Sequence, residues 1–104
     1  MAKEFSKHSA SSVGTTPVTV FTAITKTLIM GCNISNTTTF NLPVSVNVVN
    51  ESSTTSIVSN FRLDGRTNEE LVKNKIVLGI GDSIVVTSGF DNSIDVIISA
   101  LEGV

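Results

Sequence analysis

The chain has 104 residues, enough for one domain whose core can fold without a metal or disulfide. Charged residues are sparse, at 15%, and the net charge is −2. That excludes the basic footprint expected of a nucleic-acid or anionic-membrane binder.

The apolar residues are mostly Val and Ile, and the polar ones mostly Ser, Thr and Asn. This pairing suits half-buried pleated surfaces rather than helices. Cys32 is the only cysteine, so no internal disulfide can form. The first residues lack the apolar run of a signal peptide, and no stretch is apolar for long enough to span a bilayer. A small domain with no internal disulfide fits a reducing compartment or cytosolic synthesis.

In chain order, residues 1–16 are polar, with Phe5 and Val13 as their only bulky apolar side chains. They read as an arm preceding a β-sandwich domain of residues 17–104. Lys3, Phe5, Lys7 and Val13 are the residues of that arm suited to assembly: two apolar anchors and two cations for an acidic rim. Pro17 to Thr22 alternates, with Pro at the start of the strand. Lys26 to Asn36 is the longest period-two run and predicts a core face of Leu28, Met30, Cys32 and Ile34. Asn36 to Asn41 is a loop by composition.

Pro43 to Asn50 turns Val44, Val46 and Val48 inward, and Glu51-Ser52-Ser53 reverses the chain. Ser56 to Leu63 follows with Ile57, Phe61 and Leu63 on one face, then an Asp64-Gly65 turn. Thr67 to Leu71 is the one helix-like segment, with Thr67 and Glu70 placed as a capping box. Lys75 to Leu78 is a short strand. It leads into Gly79 to Ser88, which reads as a tight turn, permitted by Gly79, Gly81 and Asp82, feeding a strand. Gly89 to Ser93 turns into Ile94 to Leu101, and this last pair of strands reads as a C-terminal hairpin. The inward face of the last strand is Ile94, Val96 and Ile98.

Seven to eight strands at short spacing predict an all-β, antiparallel β-sandwich, jelly-roll-like or Ig-like. Ile29, Val49, Val85, Ile97 and Leu101 fall on outward faces, either in buried central strands or on a surface awaiting a partner.

No residue pattern marks a reaction centre. A Ser-His-acid triad would need the only histidine, His8, to fold out of the polar arm into a cleft, and solvent exposure is the simpler expectation. Cys32 alternates with apolar residues and reads as a small buried hydrophobe. Asp91, Asp95 and Glu102 have calcium-loop spacing, but Val96 stands where that loop requires Gly. Gly79-Ile80-Gly81 lacks the third glycine and the helix of a dinucleotide fingerprint. Without Trp or Tyr the chain has little to stack on a sugar or a nucleobase. Asn33, Asn36 and Asn50 head glycosylation-type triplets, which a chain so rich in Asn, Ser and Thr produces by chance.

The order of features from Val13 to Val104 resembles the small virion structural proteins of tailed bacteriophages. The residues that carry the likeness begin with Gly14-Thr15-Thr16-Pro17-Val18-Thr19-Val20 and Ile29 to Thr37. Val44 to Val49, Gly81-Asp82-Ser83-Ile84-Val85-Val86 and Asp95 to Glu102 complete it. The resemblance implies a non-enzymatic, oligomeric accessory part of the particle: capsid decoration, neck or tail component. Its partners would be copies of itself and other virion proteins. Nucleic acid, membrane, small-molecule substrate and cofactor are not implied, and the location would be the virion, after synthesis in the host cytoplasm. The competing expectation is an Ig-like or fibronectin-like adhesion or ligand-binding module, weakened by the missing disulfide pair and Trp. A small enzyme is a third.

Overall fold

The computed structural model describes residues 4–51, 53–72 and 75–103. The fold is an antiparallel β-sandwich of nine strands in two sheets, with no helix among the described residues. The strands are β1 (Glu4–Val13), β2 (Val18–Thr22), β3 (Thr27–Asn36), β4 (Leu42–Asn50), β5 (Ser53–Leu63), β6 (Asn68–Glu70), β7 (Ile76–Leu78), β8 (Ser83–Ser88) and β9 (Ile94–Glu102). Sheet I has the order β1-β9-β3-β6, with β7 on the same side of β3 as a continuation of the interrupted edge. Sheet II has the order β2-β8-β4-β5.

The pairings are nested. β4 pairs with β5 across a tight turn, then β3 with β6 and β7, β2 with β8, and β1 with β9. The chain is therefore one long hairpin, doubled back between the paired Asn50 and Ser53 and rolled until β9 meets β3 and β8 meets β4. Of the two sandwich types expected, this is the jelly-roll order. An Ig-like sandwich does not pair its first and last strands in this way.

Three local expectations change. The C-terminal hairpin does not exist, because β8 lies in sheet II and β9 in sheet I. The link over Gly89 to Ser93 crosses between layers and is held from both sides. Gly89 N–H donates to Pro43 O at 2.9 Å, and Ser93 N–H to Val13 O at 3.0 Å. The helix expected over Thr67 to Leu71 is the short strand β6, paired with Asn33, Ile34 and Ser35. Thr67 Oγ1 donates to Asp64 O instead of capping a helix, and the Glu70 carboxylate accepts from Cys32 N–H and Val72 N–H. A helix this short has no stability of its own, so the free edge of β3 decides the outcome.

The third change is at the N-terminus. Residues 4–13 are not an arm but a ten-residue strand, paired antiparallel with β9 from Glu4↔Glu102 to Val13↔Ile94. The inward positions Ser6, His8 and Ala10 are small or polar, so the alternation carries little hydrophobic contrast. An edge strand needs less of it, since β9 supplies the core beneath.

The core lies between the sheets. Val44, Val46, Ile84, Val86, Ile94, Val96, Ile98 and Ala100 are all buried, as alternation along β4, β8 and β9 requires. β3 differs. Thr27 and Ile29 face inward, the register slips between Ile29 and Gly31, and Cys32, Ile34 and Asn36 then face inward. The expected face Leu28/Met30/Cys32/Ile34 is therefore correct only from Cys32 onward, and Ile29 is core. Met30 is the extra residue of a β-bulge, next to the strand's one glycine. A Cβ on Gly31 would sit 3.0 Å from Glu70 Oε1, the carboxylate that closes over this part of the strand.

Asn36 ties one end of the sandwich together. Its Nδ2 donates to Phe40 O at 2.8 Å and Leu63 O at 3.0 Å, while its Oδ1 accepts from Thr38 N–H and Thr38 Oγ1. Every polar valence of this buried amide is used, so it is no glycan acceptor in the folded chain. Asn50 Nδ2 is likewise occupied, by Asp82. Replacing Asn36 by Ala leaves the Leu63 carbonyl without its buried amide partner, and the expected loss is about 1–3 kcal/mol in a urea titration. A loss near zero would mean that water replaces the amide.

Candidate interaction surface

His8 is not solvent-exposed as expected. Its side chain is 31% accessible and its ring lies 4.2 Å from that of Phe21 on β2. Nε2 lies 3.2 Å from Ser6 Oγ and 3.1 Å from Glu102 Oε2, and Ser6 Oγ also donates to Glu102 Oε2. Ser, His and acid therefore meet, but not as a triad. Nucleophile and carboxylate share one ring nitrogen, whereas a triad needs the hydroxyl on one nitrogen and the orienting acid on the other. The Ser6 hydroxyl, and then His8, hold the Glu102 carboxyl below the usual range. The cluster latches β1 to β9 and β2.

The other candidates also resolve into structure. Burial, reinforced by the nearby Glu70 carboxylate, pushes the Cys32 thiol up to about 12. It therefore stays a thiol and is inert. Asp91 Oδ1 accepts from Thr15 Oγ1 at 3.0 Å, and Asp95 Oδ1 from Ser12 N–H at 2.9 Å. Glu102 lies seven residues beyond Asp95 on the same strand, roughly 23 Å at the usual rise, so these carboxylates do not converge. Among the described residues no group of three His, Cys, Asp or Glu side chains could hold a metal ion. Gly79 to Asp82 is a turn: Gly79 N–H donates to Asp82 Oδ2, Asp82 N–H to Gly79 O, and Gly81 takes φ +92°. Asp82 is held below the usual carboxyl range by Asn50 first and then by the Gly79 N–H.

The assembly residues expected in an arm separate. Lys3 lies outside the described residues. Val13 is 1% exposed and belongs to the chain's own core, because it follows the bulge at the end of β1 and turns inward opposite Ile94. Lys7 is exposed, and Phe5 is 73% exposed.

Phe5 is not isolated. In register it stands opposite Leu101 of β9, Leu101 opposite Leu28 of β3, and Leu28 opposite Val77 of β7. Their chain neighbours Ile29, Leu78 and Ala100 are buried, so these four side chains form one apolar row across the outer face of sheet I. Val77 is 58% exposed. At the same end of the sandwich, the loops after β2 and β7 carry exposed Ile24 and Ile80. The two loops are tied by Ala23 N–H to Asp82 O and Gly81 N–H to Ala23 O. Ile97, outward as expected, adds a further apolar side chain on this face. At the opposite end, Phe40 and Phe90 stand edge to face, 4.9 Å apart.

The alternation of β9 made Leu101 and Ile97 readable as outward. Leu28 and Val77 were not readable, because the bulge reverses the start of β3 and the register with β7 joins residues nearly fifty apart in sequence. Neither a family model, nor a curated protein, nor a solved structure matches this chain.

Proposed function

We propose that this chain is a non-enzymatic structural building block of a bacteriophage particle, an oligomeric accessory component of capsid surface, neck or tail. The observation that carries the reading is the apolar row Phe5–Leu101–Leu28–Val77, with exposed Ile24 and Ile80 on the loops at the same end of the sandwich. A contiguous apolar patch of this kind on a small domain marks a contact surface. The rolled-hairpin sandwich supports the reading as an architecture common among viral capsid domains, though lectins and cupins share it. The likeness of the segment order to small virion proteins of tailed phages supports it further. Such a protein contributes shape and contact area, repeated in many copies, and the weak contacts of each copy add through multivalency.

Electron microscopy of purified particles, with density traced for this chain, tests the proposal. The expected result is ordered copies whose sheet I outer face lies against a neighbour. Particles without the chain would overturn it. Binding of the isolated chain to a cell-surface ligand would then favour the adhesion-module reading.

A further inference from the structure

We propose that two copies of the chain pair through the free edge of β1, antiparallel about a two-fold axis, so that sheet I continues from one copy into the next. This deepens the structural role above and rests on it.

The four sheet edges are not alike. Sheet II ends in β5, whose register with β4 slips twice and whose Asn60 takes φ +51°. Its other edge, β2, has five residues, a Pro before it and a bulge between Thr19 and Phe21. The far edge of sheet I is split into β6 and β7, three residues each. Bulges, proline, short length and edge charges are devices that keep an edge from templating another strand. From Glu4 to Ala10 β1 has only the last, in Glu4 and Lys7: the register with β9 is unbroken there, and its bulge comes only between Ala10 and Val13. It is also the edge at which the apolar row ends, in the exposed ring of Phe5.

An edge of free N–H and C=O groups is satisfied by another strand, and the charges on β1 suit its own copy. Residues directly opposed in an antiparallel pair share a face, so Phe5 and Lys7, both outward, must oppose outward residues. A two-fold axis at Lys7 would set two ammonium groups together. An axis at Phe5 would leave Glu4 opposite Ser6, away from the His8 ring. An axis at Ser6 sets Glu4 against His8 of the partner subunit and Phe5 against Lys7 of the partner subunit. The Lys stem then covers the exposed ring, with its ammonium near the π-face. The two Phe5 rings become diagonal neighbours, about 7–8 Å apart, which brings the two apolar rows together across the axis. Each contact occurs twice, as an isologous interface requires.

Sedimentation of the full chain over a wide concentration range tests this, alongside Phe5→Lys. That variant sets like charges opposite each other at a position already exposed in the monomer. The expected result is a reversible dimer whose dissociation constant rises at least about tenfold in Phe5→Lys, with a melting temperature unchanged at concentrations where both chains are monomeric. Oxidation of an equimolar mixture of Phe5→Cys and Lys7→Cys chains should give the mixed disulfide in preference to either homodimer, since buried Cys32 does not compete. A chain monomeric at every concentration, a dimer indifferent to Phe5→Lys, or homodimeric disulfides in preference to the mixed one would overturn the proposal. A monomer that is nevertheless found in particles would overturn the β1 pairing alone and leave the structural role standing.

Discussion

Deleting residues 1–13 is expected to abolish cooperative folding of the chain. β1 forms eight registered pairs with β9, and β9 is the strand that joins β1 to β3 in sheet I. Without β1, β9 becomes an edge, although its inward residues Ile94, Val96, Ile98 and Ala100 lie at the centre of the core. The deletion also removes Val13, which is fully buried and worth about 1.5–3 kcal/mol by burial alone. It removes the His8 ring from Phe21 and the Ser6 and His8 bonds to Glu102 as well. A domain of this size holds only about 5–15 kcal/mol in total, and a whole strand is a large part of that. The measurement is a thermal melt by circular dichroism, supported by amide dispersion in a proton–nitrogen correlation spectrum. A truncated chain that melts within a few degrees of the full one would show that residues 1–13 are dispensable to the domain.

Ile98→Ala is expected to cost about 2–5 kcal/mol, the range for removing a large aliphatic side chain from a packed core. Ile98 is fully buried between His8 of β1 and Cys32 of β3. At about 4–8 °C per kcal/mol, the melting temperature should fall by at least about eight degrees. Ile97→Ala is the matched control, because Ile97 is 49% exposed on the opposite face of the same strand. Its expected effect lies within about 0.5 kcal/mol. The two substitutions delete the same atoms one residue apart, so their difference measures which face of β9 is buried. Equal losses would mean that the strand is buried on both faces, as it would be if a partner covered sheet I in solution.

The alternation of β4 and β9 was enough to place their spans to within a residue and to assign their inward faces. Each buries one face and obeys period two along its paired length, so local sequence carries the geometry. The one strand misread in its interior was β3, and its sign was present in Gly31. A glycine inside an alternating run marks a bulge, and a bulge exchanges the faces on either side of it. β1 was missed for the opposite reason. Its inward face of Ser6, His8 and Ala10 has too little hydrophobic contrast to register as alternation.

The sequence by itself determined that this chain is an all-β sandwich. Composition and period-two patterning are properties of neighbouring residues, which any folded arrangement must respect. Only the tertiary structure decided which strands share a sheet, that β8 and β9 separate into different layers, and that the first strand pairs with the last. Those pairings join residues up to 98 positions apart, as at Glu4↔Glu102. Backbone hydrogen bonding is blind to side-chain identity, so the partners of a strand are chosen by global packing of the two sheets. The apolar row belongs to that second class. Phe5, Leu28, Val77 and Leu101 are scattered through the chain, and they become a surface only when four strands set them in one line.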